Sequence, residues 1–294
     1  MPPITSVGLV AKTRLDAAAG VLAELAGWLD ARGVRVVFEV DTATLVGLPP
    51  GRPTASRDVL PTVCDLIVVL GGDGTLIGMA GRIANAGSDV PILGVNFGSL
   101  GFLTEITLDE LYDSLQAVLD GSAEIESRMM LRACTLRGGA VFSERIALND
   151  VVITKGALSR IIELVVEIGD QPVMRVRADG LIVASPTGST AYNLAAGGPI
   201  MHPSVAALVI TPIAPHMLTN RPIVISADSE VRVRPAMDGS RDEVFVTIDG
   251  QSGHPLDAND EITIRRAERS LSLIRAGTRS YFDVLRQKLK WSER

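Results

Sequence analysis

Leu66-Ile67-Val68-Val69-Leu70 runs without alternation straight into Gly71-Gly72-Asp73-Gly74-Thr75. Five consecutive apolar residues suit a strand buried on both faces, as in a parallel sheet. The glycines, lacking a Cβ, let the backbone turn sharply and approach a ligand closely. Asp73 then stands at the C-terminal end of a strand, where open α/β sheets bind their ligands. A carboxylate there can accept a proton from an attacking hydroxyl or hold a metal on a phosphate; the alternative is a turn aspartate bonded to its own backbone. No G-x-x-x-x-G-K-[ST] occurs, and Ile77 occupies the place of the third glycine in G-x-G-x-x-G, so this is neither a P-loop nor the dinucleotide fingerprint. The pattern points to phosphoryl transfer.

Around this element the first 125 residues alternate strand-like and helix-like segments. Strands are expected at 7–10, 34–40 and 91–96, and helices at 15–31, 76–86 and 107–119. Gly33 stops the first helix, and Thr107 with Glu110 forms a capping-box pattern before the last. Strands alternating with helices imply an α/β domain, Rossmann-like, with helices on the faces of a parallel sheet. Residues 49–61, rich in proline and small polar residues, are expected to form an exposed mobile loop near the site. A second glycine-rich turn, Asn96-Phe97-Gly98-Ser99-Leu100-Gly101-Phe102, follows the next strand, and Phe102 either stacks on a purine or packs in the core.

From residue 126 the period changes. Twelve strand-length segments between 129 and 275 alternate with turn signals, which implies an all-β domain, a sandwich or closed sheet stack. One helix, 190–196, interrupts it, and residues 280–289 read as a helix packing back on the first domain. The expected organisation is 1–125 α/β, 126–276 β, and 277–294 a C-terminal helix. Within the β half, Asp179-Gly180-Leu181-Ile182-Val183-Ala184-Ser185-Pro186-Thr187-Gly188-Ser189-Thr190-Ala191-Tyr192 reads as a strand feeding a small-residue turn that opens a helix, suited to an anion or polar ligand edge. Asn149-Asp150, between apolar strands, offers an amide and a carboxylate able to grip ribose hydroxyls or an adenine edge, or simply to make a turn.

The bulk numbers narrow the function classes. The chain has 294 residues, 47% hydrophobic, with net charge -6, enough core for one large or two ordinary domains and no basic face for nucleic acid or anionic lipid. The short basic runs at 265–266 and 286–290 read as solvated surface. Cys64 and Cys134 make no metal spacing, and His202, His216 and His254 are scattered and read as structural. No signal core and no run near ~18 apolar residues is present, so a cytosolic, reduced protein is expected.

Taken together, Gly71 to Thr75, Asn149-Asp150, Asp179 to Tyr192 with Gly197-Gly198-Pro199, and Asn220-Arg221-Pro222 occur over most of the chain in the order found in the NAD kinase family, which it resembles. The resemblance implies an N-terminal domain related to 6-phosphofructokinases and diacylglycerol kinases, and a β domain that binds NAD. It implies Asp73 as the proton acceptor activating the 2′-hydroxyl of the adenosine ribose, with Gly72, Gly74 and Phe102 lining the same pocket. Asn149 and Asp150 would hold ribose and adenine groups, and Thr187, Thr190, Ala191, Tyr192, Asn193 and Ala195 the wall around the adenine. Arg160, Arg177, Asp179, Ala214 and Gln251 match positions that contact the dinucleotide, Asp179 from a neighbouring subunit, which implies a homodimer or homotetramer. ATP or polyphosphate would be the donor and magnesium the metal, inferred from phosphoryl chemistry since no ligand set is visible. Two departures from the family pattern are Asp150, where many members carry glutamate, and Ser185, where threonine is common. A lipid kinase sharing the Gly-Gly-Asp-Gly turn and a non-catalytic dinucleotide sensor are the alternatives.

Overall fold

A computed structural model describes residues 3–48, 51–98, 100–156, 161–217, 219–236 and 243–291. The chain divides into two compact units, Met1–Ser127 with Leu271–Arg294, and Arg128–Ser270.

The first unit opens with β1 (Ser6–Ala11), α1 (Ala18–Asp30) and β2 (Arg35–Glu39). Helix α1 buries Ala18, Leu22, Leu25, Ala26 and Leu29, a single stripe at helical period, and Gly33 beyond its end adopts the left-handed φ of 73°. Strand β2 ends earlier than its apolar run suggests. The Glu39 carboxylate turns back to accept the Thr42 N–H at 2.9 Å and hydroxyl at 2.7 Å, capping α2 (Val40–Val46). Residues 51–61, expected as loop, instead supply an edge strand β3 (Thr54–Ala55) and, from Leu60, the short α3 (Leu60–Val63), because Phe38 and Glu39 offer ladder partners to Thr54 and Ala55 and Leu60 is fully buried. There follow β4 (Leu66–Gly71), α4 (Asp73–Asn85), β5 (Ile92–Asn96), α5 (Leu111–Leu119) and β6 (Ile125–Arg128). Strands β3, β2, β1, β4 and β5 lie side by side in that order, all parallel. The order reverses at β1 and β4, so the carboxyl ends of these two strands, at Lys12 and Gly71–Asp73, flank the switch point.

The second unit is a pair of six-stranded antiparallel sheets. Its strands are β7 (Leu131–Arg137), β8 (Ala140–Ala147), β9 (Asp150–Lys155), β10 (Ile162–Ile168), β11 (Gln171–Ala178), β12 (Gly180–Ala184), β13 (Ala207–Ile213), β14 (Ile223–Ser226), β15 (Val231–Pro235), β16 (Val244–Ile248), β17 (Ser252–Leu256) and β18 (Glu261–Arg266). One sheet runs β11-β10-β15-β18-β7-β8 and the other β14-β13-β12-β9-β16-β17. Alternate residues from both, among them Leu131, Ile153, Leu164, Leu181, Ile210, Val233, Val246 and Ile264, share one core. The sandwich therefore follows from period-two patterning. Strand β12 is buried on both faces, since Met201 and Ala196 cover Ile182 and Ala184 from outside. Strand β17 was invisible to patterning because it carries Gly253 and Pro255. The turn after β12 is a 3₁₀ segment, Thr187–Thr190, followed by the four-residue α6 (Tyr192–Ala195), rather than one helix over 190–196; the chain breaks at Ala191, at φ -95° and ψ -129°.

After β18 the chain returns to the first unit. Strand β19 (Leu271–Ile274) pairs in parallel with β5, and β6 lies on its other side, giving seven strands. Leu271–Ile274 thus belongs to the α/β unit, where an all-β domain reaching 276 was expected; strand length and composition do not say which sheet a strand joins. The last helix, α7 (Tyr281–Leu289), carries a complete capping box between Ser280 and Asp283 and lies in the same unit.

Candidate active site

Asp73 is the first residue of α4, delivered by β4 through Gly71 and Gly72. Its carboxylate does not bond its own turn. Oδ2 accepts the Phe102 N–H at 2.8 Å, while Oδ1 accepts the Leu103 and Thr104 N–H groups at 3.1 and 3.0 Å and the Thr104 hydroxyl at 2.9 Å. Three successive backbone amides and one hydroxyl form an anion nest around it. Gly101 permits this closeness, because a Cβ there would lie 2.1 Å from Asp73 Oδ1. Gly72 and Gly74 have the opposite surroundings. Neither has a positive φ, and a Cβ on either meets nothing within 4 Å. The protein leaves open space over this turn, room that a ligand's phosphates or ribose could fill against the backbone.

Phe102 is half-buried, with the Lys288 ammonium of α7 5.7 Å from its ring centroid, so it is a partly exposed face rather than a core residue. In the same unit, a cavity of about 420 Å³ is lined by Asn96, Gly98, Leu100, Thr107, Arg279 and Gln287 among others. The Asn96 side chain holds this glycine-rich turn by accepting the Gly98 N–H at 2.7 Å.

In the β unit, Asn149, Asp150 and the turn after β12 come together at one sheet end, where Asp150 lies opposite Ala184. Ser185 locks them: its hydroxyl donates to the Leu148 carbonyl at 2.5 Å and accepts the Gly188 N–H at 3.1 Å, and its own N–H donates to the Asn149 carbonyl at 2.8 Å. A Cβ on Gly188 would lie 2.1 Å from that carbonyl oxygen. The Ser185 hydroxyl, the group a threonine would also supply, is the part of the side chain that the lock uses. Thr187 is buried, Thr190 and Ala191 are half-buried, and Tyr192 and Ala195 are exposed. Asn193, expected beside them as a ligand contact, is fully buried. Its amide donates to the Ser189 and Pro199 carbonyls and accepts the Thr211 hydroxyl, so it braces the turn instead. With only four residues in α6, the anion-binding helix start expected here is absent among the described residues.

Asp249 was missed from the sequence. It sits at φ 53° in the β16–β17 turn and accepts the N–H groups of Leu148, Asn149 and Asp150 at 2.8, 2.7 and 3.1 Å. The Asp249-Gly250 pair was the available signal, a hairpin-turn dipeptide immediately before Gln251. Asp150 is 4% exposed; burial first and the Asp249 carboxylate second push its carboxyl up to about 7. Gln251 is exposed in the same turn.

Arg177, Asp179 and Ala214 lie elsewhere, at the opposite end of these strands, where Gly180 faces Thr154 and Ile213. Four residue steps along β12 separate the two groups, about 14 Å at ~3.4 Å per residue. Asp179 pairs with Lys155 at 3.2 Å, Arg177 is largely exposed, and Ala214 holds the unusual φ of 45°. Arg160 lies outside the described residues.

The ATP-NAD kinase N-terminal domain matches residues 7–123, and the ATP-NAD kinase C-terminal domain residues 148–276. The chain is 49% identical over 288 residues to an NAD kinase from Geotalea daltonii, covering 98% of this chain and 99% of that protein. It is 44% identical over 294 residues to one from Solibacter usitatus, each covered in full. Among solved structures it resembles yeast NADH kinase complexed with NADH (TM-score 0.90, 26% identity, 100% of this chain and 90% of that one). It also resembles an NAD kinase from Archaeoglobus fulgidus in complex with ATP (TM-score 0.74, 25% identity, 96% and 99%).

Proposed function

The chain belongs to the NAD kinase family, and from that premise we propose that Asp73 is the proton acceptor that activates the 2′-hydroxyl of the adenosine ribose of NAD for attack on the terminal phosphoryl group of ATP. The enzyme is an NAD kinase, and the lipid-kinase and sensor alternatives find no support among its relatives. The observation that carries the role of Asp73 is its nest: one carboxylate, fixed by four donors, beside backbone with open space at Gly72 and Gly74. A ribose hydroxyl has a pKa far above neutral, so a base helps only as charge develops during attack. A carboxylate held in one orientation needs no reorganisation at that moment.

Oδ1 already accepts three hydrogen bonds and Oδ2 one, which fits a single further proton on Oδ2 better than a metal coordination sphere. No group of three His, Cys, Asp or Glu side chains converges among the described residues. Magnesium is accordingly assigned to the donor, as its phosphate complex, and the Asn96–Arg279 cavity is the proposed room for that donor. Asn149 and Asp150, with Thr187, Thr190, Ala191, Tyr192 and Ala195, are the proposed adenosine contacts. Arg177, Asp179 and Ala214 are the proposed nicotinamide-end contacts, with Asp179 supplied from a second copy in a dimer or tetramer.

The test is Asp73→Asn, assayed with NAD, ATP and magnesium and read by an NADP-specific dehydrogenase. Turnover is expected to vanish while NAD affinity stays within about tenfold, about 1.4 kcal/mol. Near-normal turnover removes Asp73 from the role.

A further inference from the structure

The nest that holds Asp73 is itself held from the far end of the chain. Glu105, 3% exposed, follows directly on Thr104. Its Oε1 accepts Arg275 Nε at 2.5 Å and the Ala276 N–H at 2.8 Å, and its carbonyl accepts Arg279 Nη1 at 3.2 Å. Arg275, 9% exposed, spends its other nitrogens on Glu126 Oε2 at 2.6 Å and the Arg279 carbonyl at 3.3 Å. One residue beyond Glu105, the Ile106 carbonyl accepts the Asn96 N–H at 2.8 Å. The strap 102–106 is thus pinned to β5 at one point and to the segment after β19 at another.

We propose that the Glu105–Arg275 pair is a positioning device for the phosphoryl-transfer reaction: it tensions the strap whose amides orient Asp73, a role that rests on Asp73 being the proton acceptor. Neither residue touches substrate in this reading. Both act through the peptide that joins Glu105 to Thr104, whose N–H and hydroxyl supply two of the four bonds on the catalytic carboxylate. Buried charges seldom add stability over an apolar replacement of similar volume, so a buried guanidinium shared by two carboxylates invites a reason other than stability. A strap that sags by ~1 Å misaligns the base by an amount that lowers turnover up to about 100-fold. No local pattern signals the pair, since 170 positions separate Glu105 from Arg275.

The shared guanidinium supplies its own control. Glu105 lies on the strap, whereas Glu126 lies on β6. Glu105→Gln, Glu126→Gln and Arg275→Met are made in the full chain, with kcat, KM for NAD and thermal unfolding measured for each. Glu105→Gln and Arg275→Met are expected to lower kcat about ten- to hundredfold, with KM for NAD within about threefold. Glu126→Gln is expected to lower the melting temperature as much as Glu105→Gln does while keeping kcat within about twofold. Equal kcat losses in the two glutamine variants, or a wild-type kcat in Glu105→Gln, overturn the positioning role. Should Arg275→Met fail to fold, the glutamine pair decides alone. Turnover in Asp73→Asn would instead overturn the assignment of the base, so the two readings fail separately.

Discussion

Asp150 illustrates how a single group is tuned first by burial and then by its neighbour. Burial pushes both carboxyls up; three amides oppose that rise at Asp249, whereas Asp150, without such donors at its carboxyl among the hydrogen bonds described, is pushed up to about 7. The sign follows from linkage. Its folded value near 7 lies above the ordinary 3.8, so the folded state binds more protons between those values and loses stability as pH rises through that window. Asp150→Asn is therefore expected to unfold at a temperature close to the wild type at pH 4 and clearly above it at pH 8; an equal difference at both would contradict the raised pKa. A cost of this kind is common where a side chain is kept for binding. The glycines separate by the same reasoning. Gly101→Ala drives a methyl into Asp73 Oδ1 and should lower kcat by about 100-fold or more. Gly74→Ala meets no protein atom within 4 Å and, in a helix, should leave stability unchanged or raise it by up to about 1 kcal/mol. If ligand approaches that backbone, KM rises in Gly74→Ala even so; an unaltered KM and kcat would mean that the open space is solvent.

At the scale of elements, caps decide more than propensity. The Thr107-Glu110 pattern signals a helix start, and Glu110 does accept the Thr107 N–H and hydroxyl at 3.0 and 2.8 Å. Yet α5 begins only at Leu111, and Glu110 also binds Arg279 and Thr278, tying this turn to the residues before α7. Burial opposes its charge, but Arg279, Thr107 and Thr278 outweigh that and bring it down to about 2. This is a depressed carboxylate: its contribution is complete above 4.5 and disappears as pH falls toward 2. Arg279→Met should accordingly be most destabilised relative to wild type near neutrality, with the gap closing below pH 4.5, followed by urea unfolding at pH 7 and pH 3. Residues 51–61 make the complementary point. Proline and small polar residues announce a break, but the free edge of β2 pairs with Thr54 and Ala55 and Leu60 finds the core, so the segment is ordered by partners that local composition does not encode.

At the scale of the whole molecule, the chain leaves the α/β unit after Ser127 and returns at Leu271 to complete it. A chain ending at residue 270 lacks β19 and α7, and with β19 goes the strand that β5 and β6 share. Such a fragment should show rapid limited proteolysis confined to residues 1–127, whereas a separately folding N-terminal domain would resist. No helix among the described residues is long and apolar enough to cross a membrane. What the sequence by itself determined was whatever rests on short-range pattern. The unbroken apolar run before Gly71 forced a doubly buried parallel strand, the later alternation forced a two-sheet antiparallel unit, and the order of the motifs marked the family. Tertiary structure alone decided which sheet Leu271–Ile274 joins, that Asn193 is a brace, that Asp249 gathers three amides, and that Asp73 is gripped by a strap anchored at Arg275. Periodicity reports which face of an element is buried, but hydrogen bonds between residues a hundred positions apart depend on how the elements pack, and no local signal carries that.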